Sequence, residues 1–202
     1  VLNGAAIDPI AEAVFYVVMG CWVFFLAAFA VRALRAKIRE TKREGRAIAG
    51  MALQFGCYFA VWLPALQRLK FSAIVPMPAV AEWTLAVVTV AIACVSVWLV
   101  DAASRRLGKQ WGLAARLVEK HDLITDGPYG WVRNPIYLGM LGLLVATGLA
   151  LSRWSALLAA TFVFVIGTVI RIRSEERLLR SAFGAAFEEY ARRVAALVPG
   201  IY

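Results

Sequence analysis

Histidine is nearly missing from this chain: its 202 residues hold one, His121, beside three cysteines, Cys21, Cys57 and Cys94. That count excludes a histidine-rich metal or haem site. The cysteines fall in three different apolar runs with no CxxC pair, so neither a disulfide framework nor a zinc centre is supported. Each reads as a small buried hydrophobe. Charged residues are scarce, at 17%, and no strand–GxGxxG–helix unit of a nucleotide-binding fold occurs. The first three apolar runs carry no ionisable residue near their centres, which argues against an ion channel, a proton pump or a voltage sensor. No internal repeat of the kind that builds secondary transporters is visible.

What is present is apolar. Hydrophobic residues make up 62% of the chain and mean hydropathy is +0.73, against about half apolar in an average globular protein. The excess lies in five blocks, near 10–31, 47–66, 80–100, 136–151 and 154–170. A bilayer crossing takes ~20 apolar residues, and the last two blocks are short for one, separated only by Ser152 and Arg153. That spacing predicts a tight helical hairpin in a thin, tilted or protein-covered region. The first block lacks the charged n-region and small-residue cleavage site of a signal peptide and reads as a true span.

The net charge of +9 does not point to nucleic acid, because the basic residues sit in the gaps between blocks. Seven Lys/Arg lie in 32–46, six in 105–133 and six in 171–193; the other side receives only Arg68, Lys70 and Arg153. The positive-inside bias therefore places the N-terminus outside and the C-terminus in the cytoplasm; a bacterial inner membrane is the expected location. The fold expected is all-α and integral to the membrane. Five transmembrane helices would divide into a three-helix bundle over 1–101 and a functional core over 102–202.

One stretch, HDLITDGPYGWVRNPIYLG from His121 to Gly139, gathers the polar, aromatic and turn-forming residues. Asp126-Gly127-Pro128 signals a turn. Asn134-Pro135 reads as a cap followed by Pro at the first helical position. Arg133, just before that start, opposes the positive end of the helix dipole, so it should serve something anionic. The fourth block shows Gly142, Ala146 and Ala150 at four-residue spacing, a face for close helix packing.

From Arg171 to Val194 the chain is too polar to span, yet Ile172, Leu179, Phe183, Phe187, Tyr190 and Val194 recur at helical spacing. Glu176 occupies the missing place in that stripe, where a carboxylate needs a partner or a ligand. Gly184 is placed to break the helix. The plainer reading is an amphipathic surface helix with Glu175 and Glu176 paired to nearby arginines.

Two pieces, the His121–Gly139 stretch with Leu107-Gly108-Lys109-Gln110-Trp111 before it, and RIRSEERLL followed by Phe183-Gly184, Tyr190, Arg193 and Val198-Pro199, carry a resemblance. In order and spacing they resemble the membrane methyltransferases that include isoprenylcysteine carboxyl methyltransferase and the phospholipid N-methyltransferases. The resemblance implies methyl transfer from S-adenosylmethionine, bound where the cytoplasmic loop and the C-terminal amphipathic helix meet. It implies that His121, Leu123, Ile124, Gly127, Tyr129, Asn134, Pro135, Tyr137 and Gly139 wall the cofactor. Glu175 and Glu176 would meet its polar parts, and Arg133 and Arg193 would hold the acceptor. Many carboxyl methyltransferases of this family carry His where this chain has Asn134, which cannot act as a base.

In-line displacement at a sulfonium needs alignment and a dry site more than acid–base catalysis. A carboxylate acceptor is already ionised and needs only a cation, for which arginine is suited. An amine acceptor would have to lose a proton, favouring a carboxylate such as Glu176 nearby. The leading expectation is thus a lipophilic carboxylate of isoprenylcysteine type, with an amine of a phospholipid headgroup as the alternative. A non-enzymatic protein that only binds lipid headgroups is the third. Membrane lipids are the expected surroundings, with neither a metal nor a nucleic acid as partner.

Overall fold

An apolar run in a bilayer must close its backbone hydrogen bonds within itself, and each of the five apolar blocks is a helix in this computed structural model. It describes residues 9–36, 45–67, 78–111, 122–151 and 154–198. The helices are α1 (Pro9–Ala36), α2 (Gly45–Gln67), α3 (Ala79–Leu107), α4 (Pro135–Leu151), α5 (Trp154–Phe183) and α6 (Ala185–Arg193). Among the described residues the rest is two 3-10 turns, irregular chain and one isolated parallel bridge, Val132 with Ala195. Three helical stretches are long and apolar enough to cross a membrane: Pro9–Leu34, Ala79–Leu107 and Ser155–Phe183. Ala49–Trp62 and Pro135–Leu151 are apolar but shorter.

The fifth block corrects the sequence reading. Instead of ending near Ile170 ahead of a separate surface helix, α5 runs unbroken for 30 residues to Phe183. Arg and Glu are good helix formers, so the drop in hydropathy at Arg171 marks no helix end. The break comes at Gly184, whose φ of 51° favours glycine, and α6 follows it. The Ser152-Arg153 connection lies outside the described residues, as do His121, Arg68, Lys70 and Pro199.

Packing sets α3 along α4 and α2 along α5, with α1 on α3. Small residues allow the first contact: a Cβ on Gly139 would meet Ser96 O at 2.7 Å and Val100 Cγ2 at 2.6 Å, and one on Gly142 would collide with Ser96. Ala146 and Ala150 continue this face into a cluster with Val14, Val18, Ala86 and Ala93. A larger core gathers Tyr58, Leu143, Leu144, Phe164 and Ile172 beneath the loop. Polar side chains inside the bundle are tied: Trp22 Nε1 donates to Thr147 Oγ1 at 2.9 Å, and the Tyr58 hydroxyl to Met140 O at 2.6 Å.

Candidate active site

The loop before α4 is shaped locally. Gly127 takes φ 59° and opens the 3-10 turn Gly127–Gly130, with Tyr129 N–H donating to Asp126 O at 3.2 Å. Arg106, at the end of α3, grips the Asp126 carboxylate with two bonds of 2.7 and 2.6 Å. That hydrogen bonding holds the Asp126 carboxyl below its usual range. Pro135 opens α4, as its fixed φ suits, and Asn134 O accepts the first N–H of the helix, from Leu138, at 3.2 Å.

The C-terminal segment is strapped over this loop. Val132 bridges Ala195, Arg133 N–H donates to Ala195 O at 2.8 Å, and Asn134 Nδ2 donates to Ala196 O at 2.8 Å. From α6 the Tyr190 hydroxyl donates to Tyr129 O at 2.7 Å. Burial pushes the Tyr190 phenol up to about 12, Arg133 pulling it down and Glu176 pushing it up. Burial likewise raises Tyr129, with Glu175 and Tyr190 adding to it. Both phenols are therefore neutral at physiological pH.

Beneath the strap, Arg133 spends its guanidinium on this chain. Nε and Nη2 both lie 2.9 Å from Glu176 Oε1, and Nη1 donates to Ala191 O at 2.9 Å and to Val194 O. The anion that a cation at this helix start requires is Glu176. The second Glu176 oxygen faces Arg180 at 3.3 Å, which also pairs with Glu188 at 2.8 Å. Glu176 thus answers its place on the apolar stripe with protein partners on both oxygens.

Glu175 differs from its neighbour. Its Oε1 accepts from the Tyr137 hydroxyl and lies 3.7 Å from Arg171 Nη2, while a quarter of its side chain (26%) stays exposed. Arg171 stands 4.9 Å over the Tyr137 ring and reaches back to α2, donating to Gln54 Oε1 at 3.1 Å. The site is therefore two adjacent carboxylates, one latched and one accessible, among the aromatic rings of Tyr129, Tyr137 and Tyr190. Among the described residues, no cluster of His, Cys, Asp and Glu could hold a metal ion.

The fold brings Tyr129, Arg133, Asn134, Tyr137, Glu175 and Glu176 together. Leu123 and Ile124 are half-buried in the loop, Gly127 is exposed, and Pro135 is buried. Gly139 faces α3. Arg193 lies outward on α6, its side chain 69% exposed and 3.5 Å from Glu189. Sequence reasoning missed Arg171 and Gln54. The available signal was a glutamine inside an apolar run, which demands hydrogen-bond partners.

Residues 84–186 match the family described as phospholipid methyltransferase. Among curated proteins, the chain is 30% identical over 108 residues to a protein-S-isoprenylcysteine O-methyltransferase of Schizosaccharomyces pombe, covering 52% of this chain and 46% of that one. It is 43% identical over 86 residues to the cobalt-zinc-cadmium resistance protein CzcN of Cupriavidus metallidurans, covering 40% and 37%. It is 39% identical over 83 residues to a probable protein-S-isoprenylcysteine O-methyltransferase of Oryza sativa subsp. indica, covering 41% and 44%. The match thus spans less than half the length of each of these relatives.

Proposed function

Since this chain belongs to the phospholipid methyltransferase family, we propose that it transfers a methyl group from S-adenosylmethionine to a lipophilic acceptor at the cytoplasmic membrane surface. All five long helices cross the bilayer in this reading, with α2 and α4 as the short spans, the N-terminus outside and the loop and α6 in the cytoplasm. The observation that carries it is the accessible Glu175 carboxylate, held by Tyr137 and Arg171 beside the Arg133–Glu176 latch.

The residues present fit the donor by their chemistry. A partly exposed carboxylate among neutral phenols and aromatic faces suits a molecule with a cationic ammonium, hydroxyl donors and a flat purine. When bound, S-adenosylmethionine supplies an electrophilic methyl group on a sulfonium. Glu175 accepts the polar donors of that molecule while Tyr137 and Arg171 keep its carboxylate oriented. Tyr129, and with it Leu123, Ile124 and Gly127, walls the loop side. The strap, with Ala196 and Leu197 buried, keeps water out. Arg193, tied by an exposed ion pair of the kind worth ~0–1 kcal/mol, exchanges Glu189 for an acceptor carboxylate. No general base is required for that acceptor, which agrees with asparagine at position 134.

A carboxylate of isoprenylcysteine type is the acceptor favoured here, supported by the names of two relatives above. The test is calorimetric titration of detergent-purified protein with S-adenosylhomocysteine, followed by turnover with prenylcysteine acids and with amino phospholipids. Binding with methylation of the acids supports the reading; methylation of the amino lipids alone replaces the acceptor. A folded protein that binds no S-adenosylhomocysteine removes the enzyme reading in favour of headgroup binding.

A further inference from the structure

Gln54 is fully buried in α2, outside the residues that match the family. A buried primary amide must satisfy donors and acceptors at once. Its Nε2 donates to Thr168 Oγ1 at 2.8 Å, and its Oε1 accepts from Arg171 Nη1 at 3.1 Å. The orientation is forced: a guanidinium only donates, so the amide oxygen must face Arg171 and the nitrogen must face Thr168.

The helices approach closely around this contact. A Cβ on Gly50, one turn before Gln54, would meet Arg171 Cγ at 2.6 Å and Gly167 O at 2.8 Å. A Cβ on Gly167 would meet Gly50 O at 2.9 Å. Glycine at both positions therefore lets the stem of Arg171 lie against the backbone of α2. Its guanidinium then divides in one plane, one terminal nitrogen to Gln54 and the other to Glu175, with the Tyr137 ring beneath.

We propose that Gln54 is a positioning residue: it fixes the Arg171 guanidinium, and through it the Glu175 carboxylate, for binding the methyl donor. The inference rests on the donor site proposed above. It gives α2 a part in the site. A long, charged, flexible side chain inside a helix bundle loses ordering when the buried amide that accepts from it is removed. The accessible carboxylate two contacts away then loses its orientation.

The experiment is a double-mutant cycle read by S-adenosylhomocysteine affinity. The forms are wild type, Gln54→Met, Arg171→Met and the double variant, each checked for folding by thermal unfolding. Gln54→Met keeps the volume but cannot accept from arginine. The expected result is a loss of about tenfold in affinity for Gln54→Met, and no further loss when it is added to Arg171→Met. Gln54→Glu, which keeps an acceptor facing Arg171, should restore most of the affinity. If Gln54→Met does not fold, Gln54→Leu, which also removes the acceptor, should show the same non-additivity. Unchanged affinity in either variant, or equal losses with and without Arg171, overturns the inference. Absence of binding by the wild type overturns the donor site itself, a separate outcome.

Discussion

Arg133 and Glu176, 43 residues apart, meet in an ion pair with side chains only 13% and 9% exposed, and Arg133 Nη1 makes two further bonds that fix the C-terminal strap as well. Breaking a buried pair by removing one partner is far costlier than replacing both, because a desolvated charge is left behind. Arg133→Met is expected to lower stability by about 3–5 kcal/mol. The double replacement of Arg133 and Glu176 by Met should recover much of that. Thermal unfolding in detergent of Arg133→Met, Glu176→Met and the double variant checks it, and a double loss equal to the sum of the two single losses would show that the pair is not coupled.

Glu175 should separate from Glu176 in what its loss does. Glu175→Gln leaves Tyr137 a partner and is expected to cost little stability, but to weaken S-adenosylhomocysteine binding roughly 10–100-fold, as for a lost hydrogen bond to a charged group. Calorimetry beside an unfolding curve distinguishes the two effects.

Gly139→Ala is expected to destabilise by about 1–3 kcal/mol, since the added methyl meets Ser96 O and Val100 between packed helices. The affinity of the remaining folded protein for S-adenosylhomocysteine should stay within about twofold, because the strain falls on the α3–α4 contact. A large loss of affinity with unchanged unfolding would instead put Gly139 in the wall of the donor site.

Tyr190 gives a pH prediction. Its phenol is pushed up to about 12 from an ordinary 10.0, so the fold favours the neutral form. That contribution is fully present below about pH 10 and is lost as pH rises toward 12. Ultraviolet titration of the phenolates should show a late-ionising tyrosine that Tyr190→Phe removes. The same substitution should cost about 1 kcal/mol for the lost bond to Tyr129 O.

Much of the site's backbone was legible in the sequence because its rules are local. The Gly127 turn, the start of α4 at Pro135 and the break at Gly184 each follow from the φ a single residue can adopt. The sign of Arg133's partner was legible from the helix dipole, and Glu176 stood out as a carboxylate on an apolar stripe. Their pairing was not, because nothing local joins positions so far apart. Hydropathy misjudged α5, reading a change in what surrounds a helix as the end of it. Gln54 was hidden for the same reason as the latch: its partner Arg171 is 117 residues away.

The bridge between Val132 and Ala195 also imposes an order on biosynthesis. Asn134 and its acceptor Ala196 are 62 residues apart, and a ribosome adds about 5–20 residues per second. For roughly 3–12 s the loop stands finished while the segment that will cover it is still being translated. Arg133 can find Glu176 during that interval but not the carbonyls of Ala191 and Val194. The nascent protein is therefore inserted first and closed last, so damage to its final ten described residues would leave a well-anchored protein with the proposed site open.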